Sequence, residues 1–182
     1  SDDTDAYERS KIQWGTSICY PQSAMSCHVS ACPNHQTQRI VPMHTRGVIA
    51  SLGPTGYELD PTKLTDADID EVKRQIVEYK KISDLVLEGD SFRLCNPLTG
   101  NYFAQALVSK DKRRAYVCGL RTHGVPCDYD NLVKLVGLNE KMMYHIEELN
   151  VTTSGKALST IGVRLPRLPD FGAWTWHISA VD

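Results

Sequence analysis

Between residues 65 and 86, apolar side chains recur every three or four positions: Ile69, Val72, Ile76, Tyr79, Ile82 and Val86. That spacing places them on one face of an amphipathic helix. Thr65 suits the N-cap, and Asp66, Asp68 and Asp70 fall in the first turns, where the helix dipole favours anions. Gly89 ends the pattern. Lys73, Arg74, Lys80 and Lys81 lie off the stripe and predict a solvated outer face. The segment before this helix is less regular. Asp5 with Glu8 three residues on fits a capping box, opening a short helix to about Trp14 that ends at Gly15. Thr16–Tyr20 then reads as a short strand closed by Pro21, and a polar loop runs to Gln38. A short helix is expected over about Gln38–Arg46, broken at Pro42. Gly47–Leu52 reads as a second apolar strand, ending at Gly53-Pro54. Strands alternating with helices predict a parallel α/β arrangement.

After Gly89 the pattern changes. Short strand-like runs at Phe92–Cys95, Tyr102–Val108, Ala115–Leu120, Met142–Ile146 and Ala173–Ile178 are separated by turn residues such as Asn96-Pro97 and Lys110-Asp-Lys112. Such spacing predicts an antiparallel β-sandwich. The boundary is placed near Glu88, giving an α/β segment over 1–88 and an all-β segment over 89–182. Two strands with three helices do not close a parallel sheet, so the first segment is expected to be part of a larger domain continuing upstream.

Composition narrows the function. The 182 residues carry a formal net charge of -2, with 41% hydrophobic and 23% charged residues. There is no basic excess to attract nucleic acid or an anionic membrane. No run of 18 apolar residues predicts a membrane span. The acidic, polar start is unlike a signal peptide. The six cysteines, Cys19, Cys27, Cys32, Cys95, Cys118 and Cys127, are irregularly spaced and lack a CxxC pair, so reduced, buried thiols are expected. Cys27-His28 and Cys32 with His35 look superficially like zinc ligands but lack a second pair at recognised spacing, so no metal is expected.

The acidic opening holds the candidate chemistry. Asp2, Asp3 and Asp5 lie within five residues of a helix start. Carboxylates there can simply stabilise the helix. One cap needs one side chain, however, and Asp5 fills that role. Asp2 and Asp3 remain at a junction that, in a βα unit, sits at the C-terminal end of the preceding strand, where α/β barrels place catalytic groups. A carboxyl there can act as a general acid if a second carboxylate faces it. Other candidates are weaker. A Ser/His/Asp triad drawn from Ser30, His28 and His35 lacks a GxSxG elbow, and structural hydrogen bonding accounts for those side chains and for Asn34 and Gln36. Trp174 and Trp176 share a strand face and read as core rather than as a sugar-stacking platform. Asn150-Val-Thr152 is a short sequon match.

These residues resemble a family. Ser1-Asp-Asp-Thr-Asp-Ala-Tyr-Glu-Arg-Ser-Lys-Ile-Gln-Trp-Gly15 is similar to the acid/base segment of family 36 glycoside hydrolases. The runs Tyr20–Met25, His28–Thr37 and Gly56–Leu64 resemble the loops that follow. Gly89–Leu94 and Gly100-Asn101 resemble the entry to that family's C-terminal β domain. Ser26-Cys27, the loop from Thr122 to Asp130, and His123-Gly-Val-Pro-Cys127 within it depart from the family pattern. The resemblance implies a retaining α-galactosidase in which residues 1–88 form the last two to three βα units of a partial (β/α)8 TIM barrel and 89–182 a C-terminal antiparallel β-sandwich.

The resemblance further implies that Asp2 is the general acid/base, while the nucleophile lies on an earlier barrel strand with no match here. It leaves the substrate-binding residues unassigned. It implies a galactoside substrate such as melibiose or a raffinose-type oligosaccharide, no cofactor, no metal, no nucleic-acid or membrane partner, and a chain inactive by itself. Tetramers are common in the family, which implies a homo-oligomer of the full-length enzyme, although no residue here argues for one. A cytoplasmic location is expected, secretion being the alternative. The rival functions are a non-catalytic carbohydrate-binding or interaction module with a vestigial barrel remnant, and a fragment of a galactosyl-transferring relative.

Overall fold

The computed structural model describes residues 3–128 and 131–181. The first helix, α1, spans Ala6–Thr16, with Asp5 in extended backbone at its N-cap. Asp5 Oδ1 accepts the backbone N–H groups of Tyr7 at 2.9 Å and Glu8 at 3.4 Å. The expected reciprocal bond from Glu8 is replaced by Asp3, whose Oδ1 accepts the Asp5 N–H at 2.9 Å. Thr16–Tyr20 is not a strand. Its backbone N–H groups turn back onto Gln13, Gly15 and Thr16 carbonyls, and Ile18 and Tyr20 are 64% and 62% exposed. With no neighbouring strand, those amides are satisfied locally.

The polar stretch expected as loop contains a strand, β1, at Cys27–Ser30. The helix α2 follows at Met43–Ala50, with Pro42 as its N-cap rather than as a break within an earlier helix. Gly47–Leu52, expected as a strand, therefore belongs to α2 and the turn after it. Val48, Ile49 and Leu52 are all 5% exposed or less and sit at spacings of one, three and four, which suits a buried helical face. A short buried apolar run is ambiguous between helix and strand by pattern alone. The chain then forms β2 at Thr55–Glu58, which pairs in parallel with β1, Cys27 opposite Thr55. Thus β1, α2 and β2 make one parallel βαβ unit.

The long helix α3 spans Asp66–Glu88, with a full capping box between Thr65 and Asp68. Its outer charges pair at i,i+3, as in Lys73–Asp70 at 2.9 Å and Lys81–Glu78 at 2.6 Å. Only Ile82, Leu85 and Val86 are fully buried. The earlier part of the stripe is open, with Ile69 38% and Ile76 41% exposed. Gly47 lets α2 approach α3 closely, since a Cβ there would meet the Gln75 side chain at 2.2 Å.

Six antiparallel strands follow as one sheet: β3 (Asp90–Cys95), β4 (Tyr102–Val108), β5 (Arg114–Arg121), β7 (Met143–Ile146), β8 (Val151–Ser154) and β10 (Ala173–Val181), in the order β3-β4-β5-β10-β7-β8. Sequence patterning located all of these except β8. It also missed the short pair β6 (Leu132–Val133) and β9 (Val163–Arg164), and the helix α4 (Gly155–Thr160).

Strand β4 is buried along its whole length because both faces of the sheet are covered. On one face Phe103, Leu107, Tyr116 and Leu120 meet α2 and α3 through Ile49, Leu52, Ile82 and Leu85. On the other, Ala104, Val117, Trp174 and Trp176 meet Val133, Leu135, Leu158 and Leu165. The expected sandwich is therefore corrected in its second layer. That layer is a two-stranded sheet with α4 and connecting chain rather than a second broad sheet, and the opposite face is roofed by helices. The antiparallel character itself is as expected. Trp174 and Trp176 lie in this core, 6% and 2% exposed.

Candidate functional site

The C-terminal end of β1 and the loop after it close around the chain entering α1. Ser30 Oγ hydrogen-bonds the Thr4 carbonyl, and Asn34 Nδ2 donates to Thr4 Oγ1 at 2.9 Å. Asn34 Oδ1 in turn accepts the N–H groups of Gln36 at 2.9 Å and Thr37 at 3.0 Å, which fixes the loop's own turn. Beneath it, Arg46 of α2 is buried and donates to the carbonyls of Ser30 and Val41 at 2.5 and 3.1 Å. Burial pulls the Arg46 pKa down. Ser30 and Asn34 are thus structural hydrogen-bonding groups, as expected for them.

Asp5 is 1% exposed and has both oxygens occupied. Its Oδ1 caps α1, and its Oδ2 accepts from Thr37 Oγ1 at 2.5 Å and Arg39 Nη1 at 2.6 Å. Burial alone would raise its pKa. The bonds from Thr37 and Arg39, the Arg39 charge and the Tyr7 N–H outweigh burial and hold the carboxyl below its ordinary value. Asp5 is therefore ionised and has no proton to give. It is a cap and an anchor. Asp3 is committed to the Asp5 N–H. Asp2, the residue carrying the predicted catalytic role, lies outside the described residues.

Arg39 reaches Asp5 across a small aromatic cluster. Its guanidinium lies 4.5 Å from the Tyr7 ring centroid and 5.6 Å from that of Phe171. Tyr7 and Phe171 meet edge to face at 5.6 Å. Phe171 belongs to the turn before β10, so the sheet segment contributes a ring to the start of α1. Sequence patterning missed Thr37, Arg39 and Phe171. No periodicity marks them, because Thr37 and Arg39 lie in the loop after β1, 32 and 34 positions from Asp5, and Phe171 lies in the distant turn before β10.

The remaining candidates do not converge. Cys27 is wholly buried on one side of β1, while the neighbouring His28 faces out, 3.5 Å from Glu58 and 3.1 Å from Ser26 Oγ. His35 is exposed on the loop surface. Among the described residues no group of three or more His, Cys, Asp or Glu side chains is arranged to hold a metal ion. The cysteines are unpaired; Cys27 and Cys118 are buried as expected, but Cys19, Cys32 and Cys127 are exposed, because they sit in surface turns rather than in strands. No helix among the described residues is long and apolar enough to cross a membrane.

Comparison with known proteins places this geometry. Residues 1–89 match the melibiase family model, and residues 102–178 match the model of the glycosyl hydrolase family 36 C-terminal domain. α-Galactosidase AgaA of Geobacillus stearothermophilus is 44% identical over 100% of this chain and 25% of its own length. The structure of the galactosidase domain of the α-galactosidase-sucrose kinase AgaSK superposes with a TM-score of 0.96 at 40% identity, covering 100% of this chain and 25% of that one. A substituted form of AgaA in complex with raffinose superposes at 0.95 with 42% identity and the same coverage. The chain spans about a quarter of the length of these relatives and matches their C-terminal quarter. With both family models in sequence and the fold reproduced along its whole length, the chain belongs to glycoside hydrolase family 36.

Proposed function

We propose that this chain is part of a retaining α-galactosidase and supplies its general acid/base, Asp2. What carries the proposal is the match of residues 1–89 to the melibiase family model, with Asp5 already taken up as the helix cap. Of three acids at the start of α1, one is locked as an ionised cap and one holds a backbone N–H. The resemblance of the Ser1–Gly15 segment to the family 36 acid/base segment is what assigns the role to Asp2. The parallel β1-α2-β2 unit followed by α3 supports residues 1–88 as the last βα units of a (β/α)8 barrel, with 89–182 as the C-terminal β domain. In such a barrel the turn before α1 lies at the catalytic end of the strands.

The chemistry needs a second carboxylate about 5 Å away, carried by a part of the protein outside this chain. That carboxylate attacks the anomeric carbon and forms a galactosyl ester. Asp2 gives its proton to the departing glycosidic oxygen. A water then attacks the anomeric carbon as Asp2 takes its proton, the bond from that carbon to the nucleophile's oxygen breaks, and the carboxylate is released. Both proton movements use one side chain, so no metal or organic cofactor is required. The substrate class is a terminal α-galactoside of the raffinose or melibiose type, in keeping with the raffinose and stachyose complexes of the AgaA neighbours. The unpaired cysteines fit a reducing compartment, which supports a cytoplasmic location.

The test is Asp2→Asn in the full-length enzyme. Hydrolysis of galactosides with sugar leaving groups should collapse. Dinitrophenyl galactoside, whose leaving group needs no proton, should be spared in its first step, and azide should restore turnover. Equal loss on both substrates with no azide rescue sinks the assignment. The isolated chain should not hydrolyse p-nitrophenyl α-galactoside; real activity there would overturn the division of the two carboxylates.

A further inference from the structure

Arg39 makes contacts beyond those a surface ion pair needs. It pairs with a carboxylate that is 1% exposed, and it is packed over two aromatic rings. One ring, Tyr7, belongs to α1 itself. The other, Phe171, comes from the sheet segment and has a left-handed backbone with φ of 60°. A bulky aromatic residue at positive φ persists only where its surroundings over-determine it. Here they do: the Phe171 N–H donates to the Arg121 carbonyl at 2.9 Å, and Thr45 Oγ1 donates to the Phe171 carbonyl at 2.6 Å. A residue of α2 and a residue of β5 therefore hold the Phe171 backbone, and its ring helps to hold Arg39. Arg39 then holds Asp5, whose own N–H is tied to Asp3. Thr4 is clamped separately by Ser30 and Asn34. Thr4 and Asp5 are thus fixed from outside the turn, and Asp3 is tied to Asp5.

We propose that Arg39 is a positioning residue for the proton donor, and that Phe171 links it to the C-terminal sheet. The inference rests on Asp2 being the general acid/base. Arg39 does not touch substrate. It sets the direction in which the turn before α1 presents its carboxyl. A misplacement of about 1 Å at a reacting group costs about 100-fold in rate. The cost should fall on the step that needs the proton.

The experiment uses the full-length enzyme with Arg39→Ala, Arg39→Lys and Phe171→Leu, and Asp2→Asn as reference. Arg39→Ala should lower kcat/KM on melibiose about 100-fold, and on dinitrophenyl α-galactoside less than tenfold. Arg39→Lys, which keeps the charge beside Asp5, should recover most of the melibiose activity. Phe171→Leu should show the same substrate selectivity in weaker form. Equal losses on both substrates, or a folded Arg39→Ala with parental rates, overturns the positioning role. If Arg39→Ala does not fold, the selectivity of Arg39→Lys and Phe171→Leu decides in the same way. If Asp2→Asn itself shows no leaving-group selectivity, the acid/base assignment fails; if Asp2→Asn is selective and the Arg39 and Phe171 variants are not, only the positioning role fails.

Discussion

Gly119 of β5 lies directly opposite Trp174 of β10, and the indole fills the place a Cβ would take. A Cβ built on Gly119 would stand 2.1 Å from the Trp174 ring and 2.7 Å from the Phe103 carbonyl oxygen. Neither neighbour is the free end of a flexible chain. Trp174 is held against Tyr102 at 6.0 Å and Trp176 at 6.1 Å between ring centroids. Gly119→Ala should therefore destabilise the protein by about 3 kcal/mol through overpacking. Chemical denaturation checks this, and an unchanged midpoint would refute the close fit.

Asp5→Asn should cost about 3 kcal/mol, since it leaves Arg39 without its buried counter-charge and replaces an acceptor with a donor. The pH dependence has a definite sign. The folded carboxyl is held below its ordinary value of 3.8, so its contribution is complete above that value and is lost as pH falls through the depressed one. The gap in Tm between parent and Asp5→Asn should be widest near neutral pH and close in acid. A gap independent of pH would mean that the Asp5 charge contributes nothing.

His177 carries the opposite sign. Its Nδ1 lies 2.6 Å from Glu148 Oε1, its backbone N–H donates to Glu148 Oε2 at 2.8 Å, and Glu78 is 3.5 Å from Nε2. The Glu148 hydrogen bond, working against burial and helped by the Glu148, Glu78 and Glu147 charges, raises the imidazole pKa above 6.5. Protonated His177 thus stabilises the fold below 6.5, and that contribution fades as pH rises through the raised value. His177→Gln should lower Tm at pH 6 and matter progressively less towards pH 9. NMR titration of the imidazole reads the shift directly; a midpoint at or below 6.5 would contradict it.

Thiol labelling should divide the cysteines. Cys19, Cys32 and Cys127 are exposed and should react at once with a disulfide reagent. Burial pushes the Cys95 thiol up to about 11 and raises Cys118 further, so neither forms thiolate at neutral pH. Cys118 and Cys27 should label only on unfolding. Mass spectrometry after a short pulse distinguishes the two groups, and early labelling of Cys118 would contradict its burial.

The elements most legible in the sequence are those with local, redundant signals. Thr65, Asp68 and a 3.6-residue apolar period fix α3 without reference to anything distant. The cap at Asp5 is legible for the same reason. The apolar run from Gly47 to Leu52 is not, because the sheet covers one side of it and α3 the other, and full burial erases the period that separates helix from strand. β1 is hidden differently: Cys27 and Val29 alternate with His28 and Ser30 inside a polar stretch, and their burial comes from packing against distant residues such as Met43, Ala50 and Tyr57. At the site, local sequence points to the acids at the start of α1. It cannot point to Arg39 or Phe171, whose contribution arises only when the loop after β1 and the turn before β10 arrive at the same place.

The roof of α2 and α3 over Phe103, Leu107 and Tyr116 has a consequence for how the chain melts. The segment matched by the melibiase model and the segment matched by the C-terminal model share one apolar layer. Neither can shed its partner without opening that layer to water, so loss of the sheet strips the helices and loss of the helices strips the sheet. The seam between the two family models therefore runs through an apolar interior, and a cut near Glu88 should expose that layer on both sides.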